Sequence, residues 1–433
     1  MTSGARPTSR RVAAEAGPPS ARSSGGSASS RSRIEVVPDD DLARTVLKLV
    51  WRKGELSRAE ISRRTGRSRS TISTVVGRLL ATGLVAEVGA GASRGGRRPI
   101  LVGFQDEAGV ILGVDVGATH VSVILTDLRG RTLAWREQPH LSRSDPKGAE
   151  ELIATLGERC LAEWNGERSR LLGVGVAVPS PVDPASPDRV LERVLPAWRE
   201  HGVLERLEDL FGVPVFVDND ANLGALAERW WGKAVGLDDF VYLKVATGVG
   251  AGLMIGGEVY RGATGVAGEI GHVAIDPSGP ECVCGNRGCL ATFVGTVQLV
   301  ERAEELVARF PGSVLAGAEL DIHAIEDAAL GGDPLALQVV REAAVRLGIV
   351  VASVLNLLNP GSVILGGSLA RAGSRLLDPL REAVASRTLV ASAAASDIRT
   401  SELGKLSIAL GAATHVLAAT LANPTLVPAA KSA

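Results

Sequence analysis

From residue 72 to residue 80 the apolar side chains Ile72, Val75, Val76, Leu79 and Leu80 step by three and four, the spacing of one stripe on an α-helix. Polar residues Arg69, Ser70, Ser73, Thr74 and Arg78 fall on the opposite face. Upstream, Leu42, Val46, Leu49 and Val50 mark a first helix that Asp41 can cap. Ser57-Arg-Ala-Glu60 is a capping box that opens a short second helix through Ile61. Thr65-Gly66-Arg67 interrupts the pattern, Ser68 caps the third helix, and Gly83 ends it. The pattern then changes to two short strands, Leu84–Val88 and Ile100–Phe104, around a glycine- and arginine-rich loop at 89–98. Three helices with a glycine-containing turn, followed by a basic hairpin, predict a winged helix-turn-helix over residues 38–106.

After residue 107 the apolar positions form continuous runs, as buried strands do. They are Val110–Asp115, Val121–Asp127, Val174–Val178, Val213–Val217, Phe240–Val245, Gly252–Ile255 and Val363–Leu365. Helical periodicity fills 148–164, 222–232, 296–309, 335–357 and 405–421. The alternation predicts an α/β fold with parallel and mixed sheets over 107–425. Residues 1–37, rich in Ser, Arg, Ala and Gly, lack the large apolar side chains a core requires. Residues 426–433 read as a second tail.

Charge sharpens this division. Residues 1–100 carry 19 Lys and Arg against 8 Asp and Glu, while the remainder carries 28 against 40. A basic front on an acidic body points to a double-stranded DNA partner for the helix-turn-helix. Arg67, Arg69, Ser70, Ser73, Thr74 and Arg78 are the candidates for the major groove. Arg94, Arg97 and Arg98 in the wing suit phosphates or the minor groove. No apolar run follows the N-terminal basic residues, and the uncharged stretch Leu347–Ala370 is broken by Asn356, Asn359 and Pro360. A cytoplasmic protein with no membrane partner is expected.

One segment carries dense chemistry. His272, Cys282, Cys284 and Cys289 follow the pattern H-x9-C-x-C-x4-C. One imidazole and three thiolates complete the closed tetrahedral shell of a structural zinc ion, and Gly285 and Gly288 permit the tight turns between the thiols. Three unrelated thiols are the plainer alternative. Cys160 is left over, as a small apolar core residue.

The sequence G-E-I-G-H at 268–272, followed by C-x-C-G-x-x-G-C at 282–289, resembles the hallmark of the ROK family of repressors, open reading frames and sugar kinases. The G-G-R-R-P close of the wing is similar to the N-terminal module of its repressors. The resemblance implies a two-lobed, actin-like sugar-kinase fold. In it Glu269 and His272 would face a sugar from a zinc-braced helix. Asp115, Gly117 and Thr119 would belong to a first phosphate loop, and Thr247, Gly248 and Gly250 to a second. Gly366-Gly367 is similar to the adenosine-side glycine pair. Asp218-Asn219-Asp220 resembles the kinase pair in which Asn219 binds sugar hydroxyls and Asp220 is the base; an Asx turn explains the same residues.

Three departures from the kinase pattern suggest lost catalysis. Ala118 and Ala246 replace loop glycines, Pro179-Ser180-Pro181 replaces a P-G-P turn, and Ala291 stands where kinases carry a sugar-binding Glu. The expectation is a sugar-responsive repressor, dimeric or tetrameric, with no catalytic residue. An ATP-dependent hexose kinase with an accessory DNA-binding domain, using Asp220, is the alternative.

Overall fold

The three N-terminal helices are α1 (Asp40–Lys53), α2 (Arg58–Thr65) and α3 (Arg69–Ala81), and capping groups set the starts of α2 and α3. Ser57 accepts the backbone N–H of Glu60, and Ser68 that of Thr71, each at 3.2 Å. Gly66 turns the chain between α2 and α3 at φ 68°, where a Cβ would be strained. Asp41 is not the cap of α1. The helix starts one residue earlier, and the Asp41 carboxylate pairs with Arg44 at 2.9 Å. Ile72, Val75, Val76 and Leu79 are buried as the stripe requires, each stabilising the module by about 1.5–3 kcal/mol. Strands β1 (Leu56–Ser57), β2 (Val85–Ala90) and β3 (Ile100–Phe104) close it as a sheet of order β1-β3-β2.

The structure is a computed structural model that describes residues 40–92, 98–183, 186–190, 198, 203–388 and 397–423. The expected tails at 1–37 and 426–433, and the tip of the wing with Arg94 and Arg97, lie outside these residues.

Two five-stranded sheets follow. The first lobe contains β4 (Val110–Val116), β5 (His120–Asp127), β6 (Thr132–Pro139), α4 (Pro146–Trp164) and β7 (Leu171–Val178). It continues with the small hairpin β8 (Val182–Asp183) and β9 (Ser186–Val190), then α5 (Val203–Phe211), β10 (Val215–Asn219) and α6 (Asp220–Trp231). The second lobe contains β11 (Phe240–Val245), β12 (Val249–Ile255), β13 (Glu258–Val259), α7 (Ala291–Val294), α8 (Thr296–Leu306), α9 (Ile322–Leu330) and α10 (Pro334–Leu358). It ends with β14 (Ser362–Gly366), α11 (Ser374–Ala385) and β15 (Asp397–Thr400). A last helix, α12 (Ser407–Ala422), returns to the first lobe.

The sheet orders are β10-β7-β4-β5-β6 and β13-β12-β11-β14-β15. Each is built on an antiparallel hairpin, β4–β5 or β11–β12, whose first strand also pairs in parallel with a later strand, β7 or β14. The loops Asp115–Thr119 and Ala246–Gly248 are the turns of these hairpins, so the two lobes repeat one strand-turn-strand plan. Strands β6 and β15 and helices α5, α9 and α11 were not foreseen from the apolar pattern. In β6 only Ala134 is buried, so alternation is absent.

The helical run Gly404–Ala422, most of which is α12, is long and apolar enough to cross a membrane by length and composition, but 67% of its apolar window is buried. It lies directly on the first lobe's sheet. A Cβ on Gly113 of β4 would come within 2.1 Å of the Ala409 carbonyl, and one on Gly175 of β7 within 2.0 Å of the Ala412 carbonyl. Glycine in these two strands is what lets backbone meet backbone here.

The core of the helix-turn-helix is continuous with that of the first lobe. Val46, Leu47 and Ile72 share one buried cluster with Ile111, Ile124 and Leu128, and with Leu410 and Leu417 of α12. At the seam, Trp51 of α1 lies 5.0 Å from Trp230 and 6.0 Å from Trp231, centroid to centroid. Its indole N–H donates to the Leu128 carbonyl at 3.0 Å. Arg129 stacks on the Trp51 ring at 5.0 Å and donates to Asp106 and to the Trp51 carbonyl, both at 2.6 Å.

Candidate functional site

The knuckle is built by backbone turns. Gly285 at φ 88° and Gly288 at φ 65° reverse the chain between the thiols. The Cys282 N–H donates to Asn286 at 2.8 Å and the Gly285 N–H to Cys282 at 2.9 Å. The ligand atoms of His272, Cys282, Cys284 and Cys289 all lie within 4.8 Å of one another. Cys282 Sγ is 3.4 Å from His272 Nδ1, and Cys284 Sγ is 3.7 Å from Cys289 Sγ. These four donors form a cluster that could hold a metal ion. Cys160 is buried in the first lobe's core, apart from them, and burial pushes its thiol up to about 11.

Glu269 and His272 stand on a 3-10 turn, Ile270–His272, and not on the expected helix. Gly268 at φ 91° and Gly271, both packed against carbonyls of β12, leave no room for a longer helix. His272 presents Nδ1 to the thiols and Nε2 toward Glu269, 3.8 Å away. Burial and then the charge of Asp220 push the Glu269 carboxyl up to about 7.

Asp220 is the first residue of α6 and is buried. Its carboxylate is bonded by the Lys244 ammonium, a residue the sequence reading passed over. Asn219 caps α6. Its side-chain oxygen accepts from Ala221 and Asn222 at 2.9 and 3.2 Å, and its amide donates to the Ser180 carbonyl at 3.2 Å. Asn219 thus forms the Asx turn that caps α6, its oxygen accepting both of those N–H groups. Asp218 is held by Arg261 at 3.0 Å and by Asn222 at 3.1 Å.

Of the first loop, Asp115 and Gly117 are buried and Thr119 is exposed. Asp115 pairs with His120 Nε2 at 3.3 Å, and that partner with nearby Lys244 holds its carboxyl low against the upward push of burial. Thr247 and Gly248 form the turn between β11 and β12, and Gly250 pairs in register with Lys244.

On the helix-turn-helix, Arg67, Arg69, Ser70, Ser73, Thr74 and Arg78 are all exposed. Thr74 donates to the Ser70 carbonyl at 3.2 Å, and the Ser70 hydroxyl bonds that of Ser68 at 2.8 Å. Arg98 is exposed at the base of the wing, where the Gly91 N–H donates to Pro99 at 2.8 Å.

The ROK family model matches residues 111–419. The chain belongs to the ROK family. A winged helix-turn-helix DNA-binding model matches residues 39–86. The xylose repressor of Bacillus spizizenii is 32% identical over 372 residues, covering 86% of this chain and 94% of its own. The Escherichia coli transcriptional dual regulator NagC is 29% identical over 352 residues, covering 80% and 85%. Among solved structures, a ROK family transcriptional regulator homologous to E. coli MLC superposes with TM-score 0.73 at 26% identity, covering 90% of this chain and 99% of its own. A ROK family glucokinase from Streptomyces griseus, in complex with glucose and AMPPNP, superposes with TM-score 0.65 at 28% identity, covering 70% and 98%. The two curated relatives are transcriptional regulators and not enzymes, whereas kinases are among the structural neighbours.

Proposed function

We propose that this ROK protein is a transcriptional repressor that binds an operator through its helix-turn-helix and responds to a sugar held between its lobes. The supporting observation is helix α6. It starts at Asp220, whose charge acts on Glu269, and ends at Trp230 and Trp231 against Trp51 of the DNA-binding module. At twelve residues it spans about 18 Å. A sugar that favours one lobe arrangement biases α1 through this helix, and coupling requires only that preference. Asp220, Glu269 and His272 are the sugar-binding candidates, joined by Asn219, which caps α6 and so positions Asp220. D-Xylose is the first effector to test, given the name of the Bacillus relative.

The knuckle is assigned to a structural zinc ion. Zn–S and Zn–N bonds near 2.3 and 2.0–2.1 Å imply tetrahedral edges of about 3.5–3.8 Å. The observed 3.4 and 3.7 Å separations support that fit. Arg67, Arg69, Ser70, Ser73, Thr74 and Arg78 read the major groove, while the wing, with Arg98 at its base, contacts the backbone. The assembly is a homodimer or homotetramer in the cytoplasm, as suits a two-fold operator. No catalytic residue is assigned.

DNA fragments selected by the full-length protein identify the operator, and a binding titration with and without D-xylose tests the response. Arg69→Ala should weaken operator binding by about 1–3 kcal/mol if it reads a base. Operator affinity unchanged by that substitution removes Arg69 from the interface. Affinity unchanged by any of a panel of aldopentoses, hexoses and amino sugars removes the sugar response.

A further inference from the structure

Strand β11 alternates between two environments. Val241, Leu243 and Val245 enter the second lobe's core, while Phe240 and Tyr242 are buried on the other face, in the cluster that includes Leu223 of α6. Lys244 takes the next position on that second face, at the end of the strand. Its register partners are Gly250 and Gly366, so no neighbouring side chain crowds it. The lysine extends to the first lobe and places its ammonium on the Asp220 carboxylate, with only 15% of its side chain exposed.

A second basic side chain sits nearby. The imidazole of His120 folds over the first loop, where a Cβ on Gly117 would meet its ring at 2.3 Å. It bonds one oxygen of Asp115, which is 4% exposed; the other oxygen has no hydrogen-bond partner. Side chains of the chain itself, His120 and Lys244, thus cover both the loop that resembles a phosphate site and the carboxylate that resembles the kinase base. These residues do not fit a metal–nucleotide pair, because the carboxylates that would face its metal are already paired, Asp220 with Lys244 and Asp115 with His120.

In a glucokinase the base meets the hydroxyl that is phosphorylated, which an aldohexose carries on its exocyclic carbon. We propose that Lys244 is a specificity-determining residue, whose ammonium on Asp220 fills the place of that exocyclic hydroxymethyl group, so that the cleft selects an aldopentose over an aldohexose. The inference rests on the reading of the cleft as a sugar site. A pentopyranose ends where Lys244 begins. It leaves the Lys244–Asp220 bond intact and keeps its ring hydroxyls for Glu269 and His272. A hexose must displace a charge-assisted bond that is nearly closed to water, or lose its fit.

Calorimetric titration of the full-length protein with D-xylose, D-glucose and 6-deoxy-D-glucose tests this. D-Xylose should bind at least about tenfold more tightly than either six-carbon sugar. Lys244→Ala should bring D-glucose to within about threefold of D-xylose, and Lys244→Arg should keep the original preference. Retained operator binding shows that each variant is folded. The proposal is overturned if the unaltered protein binds D-glucose or 6-deoxy-D-glucose as well as D-xylose, a result that needs no variant. It is also overturned if folded Lys244→Ala keeps the full preference. Binding of none of the three sugars, with operator binding intact, sinks the pentose-responsive reading together with this one.

Discussion

Around the knuckle, the backbone decides where side chains go. Across the cleft, at the Asp115 loop, side chains decide what an open backbone can bind. Gly288 in the knuckle has φ 65°, and a Cβ there would lie 1.5 Å from the Asp276 carbonyl oxygen. Gly117 in the loop would meet the His120 ring first, a side chain that can turn away. One wall of the cleft tolerates no change of shape. The other is lined by side chains that can move, His120 and Lys244. The difference teaches that a glycine framework can stay open at the backbone while side chains of the same chain lie over it.

The knuckle side should break hardest. Cys284→Ser is expected to release the metal and to destabilise the second lobe by upwards of about 5 kcal/mol, because metal binding at a closed site is folding free energy. Elemental analysis and thermal unfolding measure both effects; a variant that retains one metal per chain and its melting temperature contradicts the assignment. Gly288→Ala should follow, at about 3 kcal/mol or more, from backbone strain plus overpacking. An unfolding midpoint equal to that of the parent would show that the turn can relax.

On the loop side the effects should be smaller. Asp220→Asn leaves the Lys244 ammonium without its charged partner, and both side chains are largely buried. The expected cost is about 2–3 kcal/mol, read by denaturant titration, and no measurable loss would mean that Asp115 alone compensates Lys244. Gly117→Ala, chemically the same change as Gly288→Ala, should stay within about 1 kcal/mol. The His120 pair it disturbs is partly exposed and contributes little. If the two glycine variants prove equally damaging, the contrast between the walls fails.

Legibility in the sequence followed the same line. The knuckle was readable because thiols at x and x4 spacing around glycines serve few other purposes. Helix α3 and its caps were readable because Ser68 and the Ile72 stripe act locally. The lobes were readable as two similar strand-turn-strand clusters. Lys244 went unnoticed although it left a signal, a lone charge in the inward register of a strand whose other residues are all buried. What it binds depends on Asp220, 24 residues away in another lobe, and periodicity carries no information about such a pairing. Asn219 was legible only as one of two alternatives, since a cap and a sugar ligand require the same amide. The helix expected around Glu269 failed because Gly268 and Gly271 are pressed against β12 and allow a single tight turn. Edge strand β6 failed because an edge exposed on both faces has no alternation to read.

Three of the chain's six tryptophans, Trp51, Trp230 and Trp231, meet where α1 rests on the end of α6. Indole emission depends on the polarity and ring contacts around it. The seam between the part that touches DNA and the part that touches ligand therefore carries its own optical reporter. A change in how the two sit together would alter the protein's intrinsic fluorescence with no label attached, and Trp51→Phe would silence the DNA-side member of the trio.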